Sequence, residues 1–301
     1  MKLFSFSAED EKVGVGVEAS NGVFNLTRAL DIYQKAKGVR QPVSFDFLQM
    51  LVEMGYCSGA FIRDVLSESW VQSKYAELRM DSGYKYDLPI ARPSKIICLG
   101  SNYREHAKEL QTDVPKEPLF FAKAPSALIH HEADIVIPRW LNDRVDHEAE
   151  LAVVIGKEGK DILQDDAMSH VAGYTILNDV TARAMQKEDI DQRHPWFRSK
   201  SLDTFCPLGP FIVPADECND PYALEICLTV NGKERQRENT SSMIFSIPNV
   251  IASISRFMTL QPGDIIATGT PSGVSPIEDG DLIEISITEL GLLRNRVVKE
   301  V

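Results

Sequence analysis

Basic charge is in short supply in this chain. Its 32 lysines and arginines are outnumbered by 44 aspartates and glutamates, for a formal charge of -12. A field of that sign repels phosphate backbones and anionic lipid surfaces. Nucleic acid and membrane are thereby excluded as partners, although a small anion can still enter a local basic pocket. CxxC spacings are also missing. The five cysteines, Cys57, Cys98, Cys206, Cys218 and Cys227, are odd in number and scattered. This argues against a disulfide framework and a structural zinc site, and it fits reduced thiols in a cytosolic core. No uninterrupted run approaches the roughly 18 apolar residues of a membrane span. The opening MKLFSFSAEDEK has neither a long apolar region nor a small-residue cleavage site, so a cytoplasmic protein is expected. Internal repeats and low-complexity tracts are absent as well.

What is present is apolar material, 44% of 301 residues, sufficient for a real core in one large domain or two. Residues 1–92 read as a small α+β module. It has short strands in KLFSFS and VGVGVE and an Asn21-Gly22 turn, followed by helical periodicity in TRALDIYQKA, FDFLQMLVEM and GAFIRDVLSESWVQSKYAEL. Pro89 and Pro93 interrupt any helix and mark a linker. Residues 93–301 change texture to strands with polar turns, such as KIICLG, AELAVVIG, HVAGYTIL, LEICLTV, GDIIATG and DLIEISIT. Few helical patterns intervene, so this part is predicted to be a β-rich roll or sandwich within an α+β chain and not a doubly wound parallel sheet.

Chemistry gathers at a few places. In VDHEAELAVVIG, Glu148 and Glu150 stand at i and i+2 before an apolar strand, so both carboxylates leave the same face. Alone, such a pair is as readily a solvated strand entrance. A third acid, Asp179, follows the apolar strand in GYTILNDVTARAMQ, where it could equally cap a helix. Together, three carboxylates without His or Cys make an all-oxygen site suited to Mg²⁺ or Mn²⁺. A competing cluster, His130-His131-Glu132 with His147, is poorly arranged for tetrahedral zinc. Adjacent histidines on an extended segment point opposite ways, and His147 faces away from Glu148 and Glu150.

In GSNYREHAKEL a helix beginning near Ser101 or Asn102 brings His106 and Glu109 onto one face. A carboxylate beside an imidazole orients it and raises its basicity, as a general base for water requires. DVTARAMQ places Arg183 and Gln186 three apart, a spacing suited to gripping a substrate carboxylate and a neighbouring oxygen. Lys200 sits in a loop bounded by aromatics and prolines, where it could complement an anionic substrate. The Gly-rich turn of IIATGTPSGV lacks P-loop spacing, but its amides and the Thr270 hydroxyl could hold a carboxylate in a small nest. Each of these is also readable as ordinary surface or turn.

Taken in order, GSNYREHAKEL, FFAKAPSALI, DHEAELAVVIG, GYTILNDVTARAMQ, KSLDTFCPLGP, LTVNG and LQPGDIIATGTPSGV resemble the fumarylacetoacetate hydrolase family over most of residues 93–290. The resemblance implies a mixed β-sandwich roll, a homodimer, and an extra N-terminal domain of the kind longer members carry. It implies Mg²⁺ or Mn²⁺ on Glu148, Glu150 and Asp179, and a His106–Glu109 dyad on a mobile lid. Lys200 is then the catalytic lysine, and Arg183, Gln186 and Thr270 are substrate contacts. One departure stands out: RWLNDRVDHEAEL is longer and more charged than the family's usual link before E-x-E, which bears on the pocket rim.

The implied substrate is a small anionic 2-oxo acid, whose negative charge developing at C3 is delocalised as a metal-bound enolate. The first expectation is hydrolysis of the C3–C4 bond of a 2,4-dioxo acid. The alternatives are oxaloacetate decarboxylation, isomerisation of an unsaturated 2-hydroxy diacid, and a non-catalytic relative that binds a metabolite or partner.

Overall fold

Strands of alternating polarity cannot bury both faces in a single layer, and here they form two sheets packed face to face. The computed structural model describes residues 1–8, 13–109 and 115–300; Leu110, which ends GSNYREHAKEL, lies outside the described residues. Among the described residues ten strands make the larger sheet. At its centre, Val171–Asn178 and Ala149–Ile155 run antiparallel. Ile265–Ala267 follows beside Ala149–Ile155, then Ile96–Gly100 parallel to it, and Leu119–Lys123 at the edge. The smaller sheet is formed by Lys233–Asn239, Glu225–Val230, Leu282–Ile287, Gly291–Lys299 and Ile135–Ile137.

The strand Ala149–Ile155 shows how the core is partitioned. Leu151, Val153 and Ile155 face the smaller sheet, packing with Ile226, Leu228, Ile283, Ile285 and the helix Ile247–Ser255. Ala152 and Val154 join the opposite layer, where the N-terminal helices supply Leu48, Leu51, Ile62 and Val65. The period of two read from the sequence thus separates the two cores.

The N-terminal residues share this architecture. Lys2–Ala8 pairs antiparallel with Phe211–Pro214, placing Leu3 opposite Ile212 and Phe4 opposite Phe211. The larger sheet therefore continues across residue 92, and the division there is proposed as one of chain segments, not of separate sheets. Two helices differ from their sequence patterns. The pattern over 59–78 breaks into Gly59–Ser67, Ser69–Gln72 and Tyr75–Leu78, because Glu68 takes an extended backbone and its side chain accepts from the Ser69 amide. The helix after Asp179 begins only at Arg183, since Thr181–Ala182 is held as a short strand against Val145–Asp146. Among the described residues no helix is long and apolar enough to cross a membrane.

Candidate metal centre and active site

The strand register explains why the three acids meet. Ala149 pairs with Asn178, so Glu148, one residue before its strand, lies across from Asp179, one residue beyond the partner strand. The Asp179 amide donates to the Glu148 carbonyl at 2.8 Å. Glu150 is two residues along on the same face. One carboxylate oxygen from each acid lies within 4.8 Å of the others, and all three residues are buried. Asp179 is not a helix cap, because the residue at that position is Ala182.

Cations crowd two of the acids. Lys200 Nζ donates to Glu148 Oε2 at 2.8 Å and to Asp179 Oδ2 at 2.7 Å. Lys123, also buried, donates to Asp179 Oδ1 at 2.7 Å and to the Val180 carbonyl at 3.2 Å. Arg183 holds Glu148 through Nη2, Asp146 Oδ2 through Nε at 2.7 Å, and Gln186 Oε1 through Nη1 at 2.7 Å. Burial alone would raise the Glu148 carboxyl, but Lys200 and Arg183 outweigh it and hold the group well below the usual carboxylate range. Lys200 is raised, because the charges of Asp179 and Glu148 more than reverse the effect of burial.

Glu150 goes the other way: burial, then the charges of Asp179 and Glu148, push it well above its ordinary value. It accepts from the Gly269 amide at 2.8 Å, and among the described residues no ion pair reaches it. A buried carboxylate with like charges beside it and no cation opposite is costly. The all-carboxylate donor set and the uncompensated Glu150 both fit a hard divalent cation, which Glu148, Glu150 and Asp179 would hold.

The expected dyad is assembled. His106, buried on the helix Arg104–Glu109, has Nδ1 at 3.1 Å from Glu109 Oε2. Glu109 is pinned from the far side by the Gly273 amide at 3.2 Å. The Gly-rich turn thus serves as a nest for two of the protein's own carboxylates, Glu150 at Gly269 and Glu109 at Gly273. Both glycines have positive φ, and a Cβ on Gly273 would meet the Arg235 carbonyl at 2.0 Å. Asn102 does not cap the dyad helix. Fully buried, it joins the helix approach to Thr268 and Phe245, donating to the Thr268 carbonyl at 2.8 Å and accepting from the Phe245 amide at 2.8 Å.

One cavity of about 440 Å³ is lined by His106, Glu148, Glu150, Lys200, Arg183, Gln186 and Thr270. Asp179 sits just behind it, tied to both lysines. Thr270 is engaged internally, donating to the Ala149 carbonyl at 2.9 Å and accepting from Gln236 at 2.8 Å. The competing histidines are dispersed. His147 is buried between Gln236 and Ser275, at 3.2 and 2.9 Å, where burial lowers it to about 4. His130 and His131 bond to backbone near Arg294.

Three members of this network escaped the sequence reading. Lys123 lies in FFAKAPSALI with no chemical partner nearby in the chain, Asp146 precedes the E-x-E pair without a role of its own, and Gln236 lies in a charged stretch with no motif. Alternation was the available signal for Asp146, which shares the Glu148 face in VDHEAE. Nothing local marks the other two.

The model of the fumarylacetoacetate (FAA) hydrolase C-terminal family matches residues 95–298. This chain belongs to that family. Its members and neighbours are enzymes. Human mitochondrial oxaloacetate tautomerase FAHD2A is 45% identical over 217 residues, 70% of this chain and 68% of its own. Among solved structures, 5-carboxymethyl-2-hydroxymuconate delta-isomerase from Mycobacterium smegmatis matches at 33% identity and TM-score 0.73, with both chains fully covered. Maleylpyruvate hydrolase from Sphingobium sp. SYK-6, in complex with manganese(II) and pyruvate, matches at 31% identity and TM-score 0.78, again over both full lengths. The β-rich α+β fold is thus that of the family, and a neighbour carries Mn²⁺ with a small 2-oxo acid.

Proposed function

We propose that this protein is a divalent-metal-dependent hydrolase that cleaves the C3–C4 bond of an acylpyruvate, a 2,4-dioxo acid, into pyruvate and a second acid. The observation that carries the reading is the His106–Glu109 pair, set at 3.1 Å, whose imidazole lines the same cavity as Glu148 and Glu150. A cation on Glu148, Glu150 and Asp179 would supply the Lewis acidity that draws developing negative charge toward the C2 oxygen. His106, held by Glu109, takes a proton from water as the water oxygen bonds to C4. An ammonium has three donors. Lys200 gives two to Glu148 and Asp179, which leaves one for the oxyanion formed at C4. The C3–C4 bond then breaks with its electron pair passing to C3. C4 leaves as a carboxylic acid, and the proton returns from His106 to C3 to complete pyruvate. Arg183 and Gln186 orient the substrate carboxylate on this reading, with Thr270 shaping the wall beside them.

A second reading is favoured by the human oxaloacetate tautomerase, whose identity to this chain exceeds that of the hydrolase. There His106 would move one proton between C3 and the C2 oxygen, without water. The deciding experiment follows two reactions with Mn²⁺-loaded protein: pyruvate release from acetylpyruvate, and conversion of enol to keto oxaloacetate. Hydrolysis predicts metal-dependent pyruvate well above the metal-only blank, lowered about 10²- to 10⁴-fold in His106→Ala. Tautomerisation without pyruvate release would replace the first reading with the second. A homodimer is part of the proposal. It is supported by the exposed apolar Leu119, Phe197 and Phe257, and light scattering should return twice the 33.6 kDa chain mass.

A further inference from the structure

Gln236 is the one buried residue of the edge strand Lys233–Asn239, between exposed Lys233, Glu234, Arg235 and Arg237. A bulge turns it inward. Leu228 pairs with Gln236 and Thr229 with Glu234, so Arg235 is left over between them. An extra residue of this kind re-aims the side chain beside it.

The amide of Gln236 fills a gap in the larger sheet. Ala149 stands between Glu148 and Glu150, and the neighbouring strand Ile265–Ala267 ends opposite Ala152. Beyond that end the Ala149 backbone has no strand partner on this edge among the described residues, and buried backbone groups need one. Gln236 Oε1 accepts from the Ala149 amide at 3.0 Å, while Nε2 donates to Thr270 Oγ1 and to the Pro271 carbonyl, both at 2.8 Å. The Thr270 hydroxyl donates in turn to the Ala149 carbonyl at 2.9 Å, which closes a ring of hydrogen bonds. The orientation of the amide is fixed, because the Ala149 N–H can only donate and the Pro271 carbonyl can only accept. His147 Nδ1 meets the same Gln236 oxygen at 3.2 Å. In the neutral ring that nitrogen therefore carries the proton, and Nε2 accepts from the Ser275 hydroxyl at 2.9 Å.

The turn that Gln236 holds also gives its Gly269 amide to Glu150 Oε2 at 2.8 Å. One side chain of the smaller sheet thus ties the backbone between two acids to the donor of the second. We propose that Gln236 is a positioning residue for the metal centre, setting the spacing of Glu148 and Glu150 through Ala149 and Thr270. This rests on the reading of Glu148, Glu150 and Asp179 as a cation site, not on which reaction follows. Among the described residues Gln236 bonds to none of the three carboxylates and does not line the cavity.

The test reads metal affinity in folded protein, so it does not depend on turnover. EDTA-stripped wild type, Gln236→Leu and Gln236→Asn are titrated as full chains with Mn²⁺, the free ion being counted by electron paramagnetic resonance. Urea denaturation of the same metal-free proteins reports stability. The Mn²⁺ dissociation constant should rise about tenfold or more in Gln236→Leu, as loss of support behind metal ligands does. Gln236→Asn keeps an amide but is one methylene too short to span both ends, so it should weaken binding in the same direction; it decides alone if Gln236→Leu does not fold. Lowered stability with wild-type Mn²⁺ affinity in the folded variants would overturn the proposal and leave Gln236 a support for the fold. Nitrogen-15 shifts add a signature that needs no metal: His147 should carry its proton on Nδ1 in wild type and lose that preference in Gln236→Leu. A proton on Nε2 in wild type would overturn the amide orientation on which the proposal stands. A wild type that binds no Mn²⁺ would overturn the cation site and this role together, an outcome distinct from variants that bind as wild type does.

Discussion

Lys123 and Lys200 take one oxygen each of Asp179, and neither lysine meets solvent to any extent. Such a group is secure only while its partner carries charge, because removing one member of a buried pair leaves the other uncompensated. Lys123→Ala in metal-free protein should therefore lower unfolding free energy by about 3 kcal/mol. Urea denaturation measures it, and Mn²⁺ should restore part of the loss by placing new positive charge near Asp179. An unchanged midpoint would mean that Lys123 and Asp179 do not depend on each other. The acids themselves were readable from sequence, since i, i+2 spacing and a following strand end place them on one face. Lys123 was not, because its relation to Asp179 is a tertiary one spanning 56 residues.

At the scale of elements, the short 3₁₀ turn Ala215–Glu217 closes the N-terminus of the helix Gly59–Ser67. Asp216 accepts from the Gly59 amide at 2.7 Å, the Ala60 amide at 2.9 Å and the Ser58 hydroxyl at 3.0 Å. Burial would raise this carboxyl, but the three donors outweigh it and hold it below its ordinary value. A native pKa below the unfolded one means that the contribution is complete above the unfolded value, roughly 3.9, and is lost as pH falls through the native one. Wild type should therefore exceed Asp216→Ala in thermal stability at neutral pH, and the gap should narrow under acid. A gap independent of pH would remove the charged cap from the account. Most strands were legible from alternation, but KERQREN was not: Lys233–Asn239 is an edge strand whose exposed charges hide its period, with Gln236 as its one buried residue. That residue reaches Ala149, His147 and Thr270.

Across the whole molecule, neither sheet could be assembled from sequence alone, because the joins are non-local. The strand at residues 2–8 lies beside that at 211–214, and the parallel partner of 96–100 is 265–267. These joins bring the dyad helix, the Gly-rich turn and the acids to one cavity. The ordered set of motifs did reveal the family, since it runs through the segments that carry the dyad, the acids, Lys200 and the Gly-rich turn. The proposed chemistry on 2-oxo acids requires a cation at Glu148, Glu150 and Asp179, and the most direct test is a Mn²⁺ titration of EDTA-stripped protein, read as pyruvate release from acetylpyruvate, for wild type and Glu150→Gln. Stripped wild type should be inactive and recover saturably, whereas Glu150→Gln should need at least about tenfold more Mn²⁺. Full activity in stripped wild type, or the same Mn²⁺ midpoint in both proteins, would contradict the account.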